Sequence, residues 1–298
     1  MDKENTTIQQ EQTRQDQTQQ EQTQQDETRE NTGNIVIETA KTDDFEMKYC
    51  RFGYGENILV ILPGLSIQSV LISALAIEAA FEQFKKDYTI YLFERRNDLP
   101  QSYSVFDSAR DAVKAFQTIG LEHFSLFGAS YGGMIAMTIA AQNPAFVDKL
   151  VLAATSAKVD EEIFKTIGNW VSLAEKGNAK ELYLAFGEAL YPKEVFERSR
   201  GLLANAARTV TEEELKRFII LSEGIKGFDL TDRLDQIKCP VLAIGDKQDR
   251  VLGTAVTDTI ACYMEQRSDF ELYMYDGYGH AVYDMAPDFR ERMMKFLK

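Results

Sequence analysis

Gly128-Ala129-Ser130-Tyr131-Gly132 places a serine between an apolar run, 124–127, and a second apolar stretch that begins at Met134. A serine hydroxyl is a weak nucleophile near neutral pH and needs a general base within hydrogen-bond reach. The chain has two histidines. His123 stands at the start of the run leading to Ser130, and extended residues at about 3.3 Å each carry it roughly 20 Å from the serine. It is therefore expected on the surface, at the wrong end of that strand. His280, in Asp276-Gly277-Tyr278-Gly279-His280, follows another apolar run on a glycine-rich loop and is the base by position and by elimination. A carboxylate must then hold the other ring nitrogen and stabilise the imidazolium that forms. The stretch 241–251 leaves an apolar run and offers two, Asp246 and Asp249. These residue types support acyl transfer through a serine.

Such groups react only if the ends of separate strands bring them together. From Asn34 onward, short β-rich runs alternate with helical stretches, the rhythm of a mostly parallel sheet covered on both faces. Strands are expected at 35–39, 45–52, 58–62, 89–93, 124–127, 150–153, 241–244 and 270–275. The first two read as an antiparallel opening hairpin, and the later ones as buried parallel strands. Between 157 and 230 apolar residues recur at helical spacing, for example Ile163, Ile167, Trp170, Val171 and Ala174, which predicts three or four amphipathic helices. The expected fold is thus α/β: a mostly parallel eight-stranded sheet flanked by helices, with core segments 34–156 and 231–298 and an inserted helical cap at 157–230. An insertion there sits over the carboxyl ends of the strands, where open α/β sheets bind ligands.

A strand, a GxSxG serine and a buried helix in succession, with Ser, Asp and His in that chain order, resemble the α/β-hydrolase superfamily. The resemblance runs from about Asn34 to the C-terminus. It implies a nucleophile elbow at Ser130, with His280 as base. It also favours Asp249 over Asp246 as the acid, because Arg250-Val251 follows it as in many members. The oxyanion of acyl transfer needs two waiting backbone N–H groups. One is expected from Tyr131, directly after the nucleophile and at a helix N-terminus. The other is expected from Leu65 in Leu62-Pro63-Gly64-Leu65-Ser66, where many members carry His-Gly in place of Pro63-Gly64. The resemblance implies a serine hydrolase of small ester-like or related acyl substrates, working through an acyl-enzyme without metal or cofactor. The same fold and triad serve acyltransferases, carbon–carbon bond hydrolases and small-molecule receptors with slow turnover. Substrate choice would lie in the insert, where Trp170, Tyr183, Phe186, Tyr191 and Phe196 either line a pocket or form a helix core.

Residues 1–33 have a different texture. Met1 and Ile8 are their only large apolar side chains, and acid-led pentapeptides such as Asp16-Gln17-Thr18-Gln19-Gln20 recur. Such a segment cannot bury enough surface to offset its ordering entropy, so a disordered acidic leader is expected. The formal charge of -14, with no clustered basic stripe, argues against a nucleic-acid partner. Cys50, Cys239 and Cys262 are odd in number and far apart, which suggests neither a disulfide frame nor a zinc site and three packed, reduced thiols instead. No run is long and apolar enough for a membrane span, and the first residues lack a signal-peptide h-region. A cytoplasmic location is the resulting expectation.

Overall fold

The computed structural model describes residues 35–298; the expected polar leader at 1–33 lies outside the described residues. Eight strands form one sheet: β1 Val36–Lys41, β2 Glu46–Gly53, β3 Asn57–Leu62, β4 Tyr88–Arg96, β5 Phe124–Ala129, β6 Val147–Ala153, β7 Val241–Asp246 and β8 Phe270–Tyr275. Their order is β1-β2-β4-β3-β5-β6-β7-β8. The pairs β1/β2 and β2/β4 are antiparallel and every other pair is parallel. Each expected strand is present, and the antiparallel opening hairpin with it.

The middle strands are buried because helices cover both faces. All six residues of β5 and all six of β7 are buried, and their sequences, Phe-Ser-Leu-Phe-Gly-Ala and Val-Leu-Ala-Ile-Gly-Asp, carry no alternation of polar and apolar side chains. One expectation needs correction. β8 is not a fully buried strand: it is the sheet edge, paired only through β7, and Glu271 and Leu272 are exposed. An edge strand has a neighbour on one side only, so its outer side chains face solvent whatever their type.

Helices α1 Ala74–Ala80, α2 Val105–Thr118 and α3 Tyr131–Gln142 follow β3, β4 and β5. Helix α3 is buried from Tyr131 to Ala141, which explains why its sequence is apolar on nearly every side. Between β6 and β7 lie the four helices of the insert: α4 Glu161–Glu175, α5 Ala179–Leu190, α6 Lys193–Ala206 and α7 Glu212–Glu223. Local sequence sets their starts. Asp160 accepts from the Ile163 N–H ahead of α4, and Thr211 and Glu214 form a reciprocal capping box at α7. A lone antiparallel bridge between Lys158 and Asp229 closes the base of the insert. After β8 come α8 Val282–Met285 and α9 Phe289–Leu297.

Among the described residues no helix is long and apolar enough to cross a membrane, and no cluster of metal-ligating side chains is found. The three cysteines are unpaired; Cys50 and Cys239 are buried as expected, but Cys262 is exposed. Cys262 lies on the outer side of a short helical turn, where its thiol donates to the Asp258 carbonyl at 2.7 Å.

Candidate active site

Parallel register carries the glycine-bracketed serine to the middle of the sheet's carboxyl edge. Gly128 pairs with Leu62 of β3 on one side and with Leu152 of β6 on the other, so Ser130 emerges between the loops that follow both strands. Its backbone has φ 51° and ψ -120°. That left-handed φ is strained for a residue with a side chain, and it lifts the hydroxyl out of the turn. Neighbours hold it there: Ser130 N–H donates to Ala153 O at 2.8 Å, and Thr155 Oγ1 donates to Ser130 O at 2.7 Å. Ala154, between them, also has a positive φ of 44°.

The flanking glycine Gly132 is required by close approach. A β-carbon on it would lie 2.0 Å from Leu62 O and 2.5 Å from Pro63 O. Both are backbone atoms, so nothing cheap can move aside.

His280 reaches this point from the loop after β8. Its Nε2 lies 2.9 Å from Ser130 Oγ, and its Nδ1 lies 2.8 Å from Asp249 Oδ2. Both His280 and Asp249 are buried, while Ser130 is partly exposed. The second oxygen of Asp249 accepts from the N–H groups of Val251 at 2.7 Å and Leu252 at 2.9 Å. Burial alone would raise the pKa of Asp249; the charge and hydrogen bond of His280 and those two N–H groups outweigh it and hold the carboxyl below its ordinary value. A carboxylate so held stays ionised and fixes the imidazole with its Nδ1 proton toward Asp249. Nε2 is then free to accept from the Ser130 hydroxyl.

Asp246, the alternative acid, is placed differently. Its carboxylate accepts from Gln248 N–H at 2.8 Å and Tyr278 N–H at 2.9 Å, tying the two loops together without touching the imidazole. His123 is at the other end of β5, exposed, with Nδ1 3.5 Å from Asp148 Oδ1.

The loop after β3 runs beside the serine. A β-carbon on Gly64 would lie 3.3 Å from Ser130 Cβ, so the loop that carries Leu65 passes beside the serine. Tyr131 opens α3, and its N–H, like the first N–H groups of any helix, has no acceptor within the helix. Both expected donors therefore belong to segments that flank Ser130.

The insert is fastened over this edge of the sheet. Arg217 of α7 pairs with Glu94 at the end of β4, at 2.8 Å. Tyr183 of α5 donates to Gln68 in the loop after β3, at 2.8 Å. Leu190 O accepts from Ala281 N–H at 3.1 Å, directly after the histidine. Arg250, directly after Asp249, donates to Glu188 O and Tyr191 O. None of these contacts was legible in the sequence, because each joins residues far apart in the chain. The aromatics of the insert mostly serve its own core: Trp170 packs on Phe186 at 4.7 Å, Phe186 on Phe218 at 6.1 Å, and Phe196 is buried.

This strand order with a strained serine elbow is the architecture of the α/β hydrolases. A family model described as the α/β hydrolase fold matches residues 59–195, and the chain has that fold. The matched span includes Ser130 and ends before Asp249 and His280. Among curated proteins, the chain is 24% identical to a provisional carbamate hydrolase, RutD, of Rhizobium rhizogenes, over 73% of this chain and 85% of that one. It is 27% identical to the protein of the same name from Agrobacterium fabrum, over 67% and 77%. Among solved structures it resembles MGS-M2, an α/β hydrolase from a deep-sea metagenome, with TM-score 0.77, 21% identity and 87% and 97% of the two chains covered. It also resembles an enol-lactonase from Burkholderia xenovorans, with TM-score 0.73, 18% identity and 87% and 99% covered.

Proposed function

We propose that the protein is a serine hydrolase of small ester-like or related acyl substrates, acting through Ser130, His280 and Asp249. The single observation that carries this reading is the unbroken hydrogen-bonded line from Asp249 through His280 to Ser130. In the first step Ser130 Oγ attacks the substrate carbonyl while its proton passes to His280 Nε2. The charge on the carbonyl oxygen is taken up by the N–H groups of Leu65 and Tyr131. The tetrahedral adduct then collapses, and the leaving group departs with the proton held on Nε2. In the second step water gives its proton to Nε2 and attacks the acyl-enzyme; the acid is released as Ser130 Oγ takes that proton back from Nε2.

The reading is tested by comparing hydrolysis of p-nitrophenyl acetate by the wild type and by Ser130→Ala. Turnover well above that of the variant supports it; equal rates contradict it. A second reading, a carbamate in place of the ester, is favoured by the names of the curated relatives. The same two steps serve it: the alcohol or phenol leaves first, and water then releases a carbamic acid, which loses CO2 to give the amine. Parallel assays with p-nitrophenyl acetate and an N-methylcarbamate of p-nitrophenol separate the two by their kcat/KM.

A further inference from the structure

Arg95, next to last in β4, is a charged side chain with 6% exposure. Its Nη2 donates to the carbonyl of Pro63, and its guanidinium carbon lies 5.2 Å from the centre of the Tyr131 ring. Among the described residues no protein atom accepts from its Nε or Nη1. The neighbouring carboxylate of Glu94 is occupied elsewhere, by Arg217 Nη2 at 2.8 Å, Val70 N–H at 2.9 Å and the backbone N–H of Arg95 itself at 2.7 Å. A buried cation with so few partners is a weak source of stability. Its two contacts nevertheless fall on the two segments that flank Ser130.

We propose that Arg95 is the positioning residue of the oxyanion site. A peptide group is planar, so anchoring the Pro63 carbonyl orients the Pro63–Gly64 peptide and, through it, the Leu65 N–H. The same guanidinium lies against the Tyr131 side chain, whose hydroxyl is fixed at the far end by Ser108 at 2.6 Å. One side chain thereby sets the separation of the two N–H donors. This inference rests on the proposed serine hydrolase activity.

Packing and positioning give opposite results when Arg95 is replaced by methionine, an apolar side chain of similar length. If Arg95 positions the donors, Arg95→Met melts at or above the wild-type temperature, because a poorly partnered buried charge has gone. Its kcat on p-nitrophenyl acetate falls by about 30-fold to 100-fold, the scale of a small misplacement of a donor. KM stays within about twofold, since ground-state binding does not use the oxyanion site. Affinity for a trifluoromethyl ketone, which forms the tetrahedral adduct, falls by a similar factor. Arg95→Lys, which can still donate to the Pro63 carbonyl, recovers part of kcat. A lower melting temperature for Arg95→Met with wild-type kcat per folded molecule would overturn the proposal. Should Arg95→Met not fold, wild-type kcat in Arg95→Lys would overturn it equally, because a lysine cannot reproduce the planar contact with Tyr131. Failure of the underlying reading looks different: the wild type itself would be no faster than Ser130→Ala.

Discussion

Asp246 accepts a 2.9 Å hydrogen bond from the backbone N–H of Tyr278, and so fastens the loop that carries Asp249 to the loop that carries His280. The same carboxylate accepts from Gln248 N–H at 2.8 Å, within the acid loop. β7 and β8 bring the loops side by side, with Asp246 opposite Tyr275. The two acids three residues apart thus have separate tasks, one on the imidazole and one on the backbone.

Substitution separates those tasks. Asp249→Asn removes the charge facing His280 and presents an amide to its ring, and is expected to lower kcat on the order of 10⁴-fold. Asp246→Asn retains one carbonyl oxygen and turns an amide toward the donors of the other, Gln248 and Gly277 on one side or Tyr278 on the other. It is expected to cost about 1–3 kcal/mol of stability and far less activity per folded molecule. Kinetics paired with denaturant melts check both; a larger kcat loss in Asp246→Asn would reverse the assignment.

Glu94 is held ionised in a buried place. Burial pushes its pKa up, but Arg217, the Ser69 hydroxyl, the Arg95 N–H and the Arg95 charge bring it below the ordinary glutamate value of 4.5. A carboxyl depressed on folding stabilises the protein fully above its unfolded pKa and loses that contribution as pH falls through the lower folded value. The wild type is therefore expected to lose stability steeply below about pH 4.5, and Glu94→Gln to show a shallower acid limb. Melting temperatures between pH 6 and pH 3 measure this, and parallel curves would contradict it.

Two glycines make opposite predictions. Gly132→Ala drives a β-carbon into the backbone of Leu62 and Pro63, and is expected to cost more than about 3 kcal/mol or prevent folding. Gly201→Ala, within α6, meets no atom within 4 Å and is expected to stabilise by about 1 kcal/mol. Urea melts of both variants check the contrast.

Much of the fold was legible because strands buried on both faces must be largely apolar, as Phe124–Ala129 is apart from Ser125 and Val241–Asp246 is apart from its last residue. The edge position of β8 was not, since Phe270–Tyr275 is as apolar as many central strands and only its missing neighbour exposes it. Ser130 and His280 could be singled out because a glycine-bracketed serine and one of two histidines left little choice. Asp249 and Asp246 could not be separated by chemistry alone, because hydrogen bonds to Val251, Leu252 and Tyr278 decide between them. Arg95 was invisible: nothing local marks an arginine whose partner is a carbonyl 32 residues away.

The most direct measurement is reaction of the intact protein with a fluorophosphonate, followed by mass spectrometry of the adduct and its site. A nucleophile activated by His280 gives one adduct, on Ser130, formed rapidly in the wild type and at least about 10³-fold more slowly in His280→Ala. No adduct, an adduct on another residue, or equal rates in the two proteins would contradict the account.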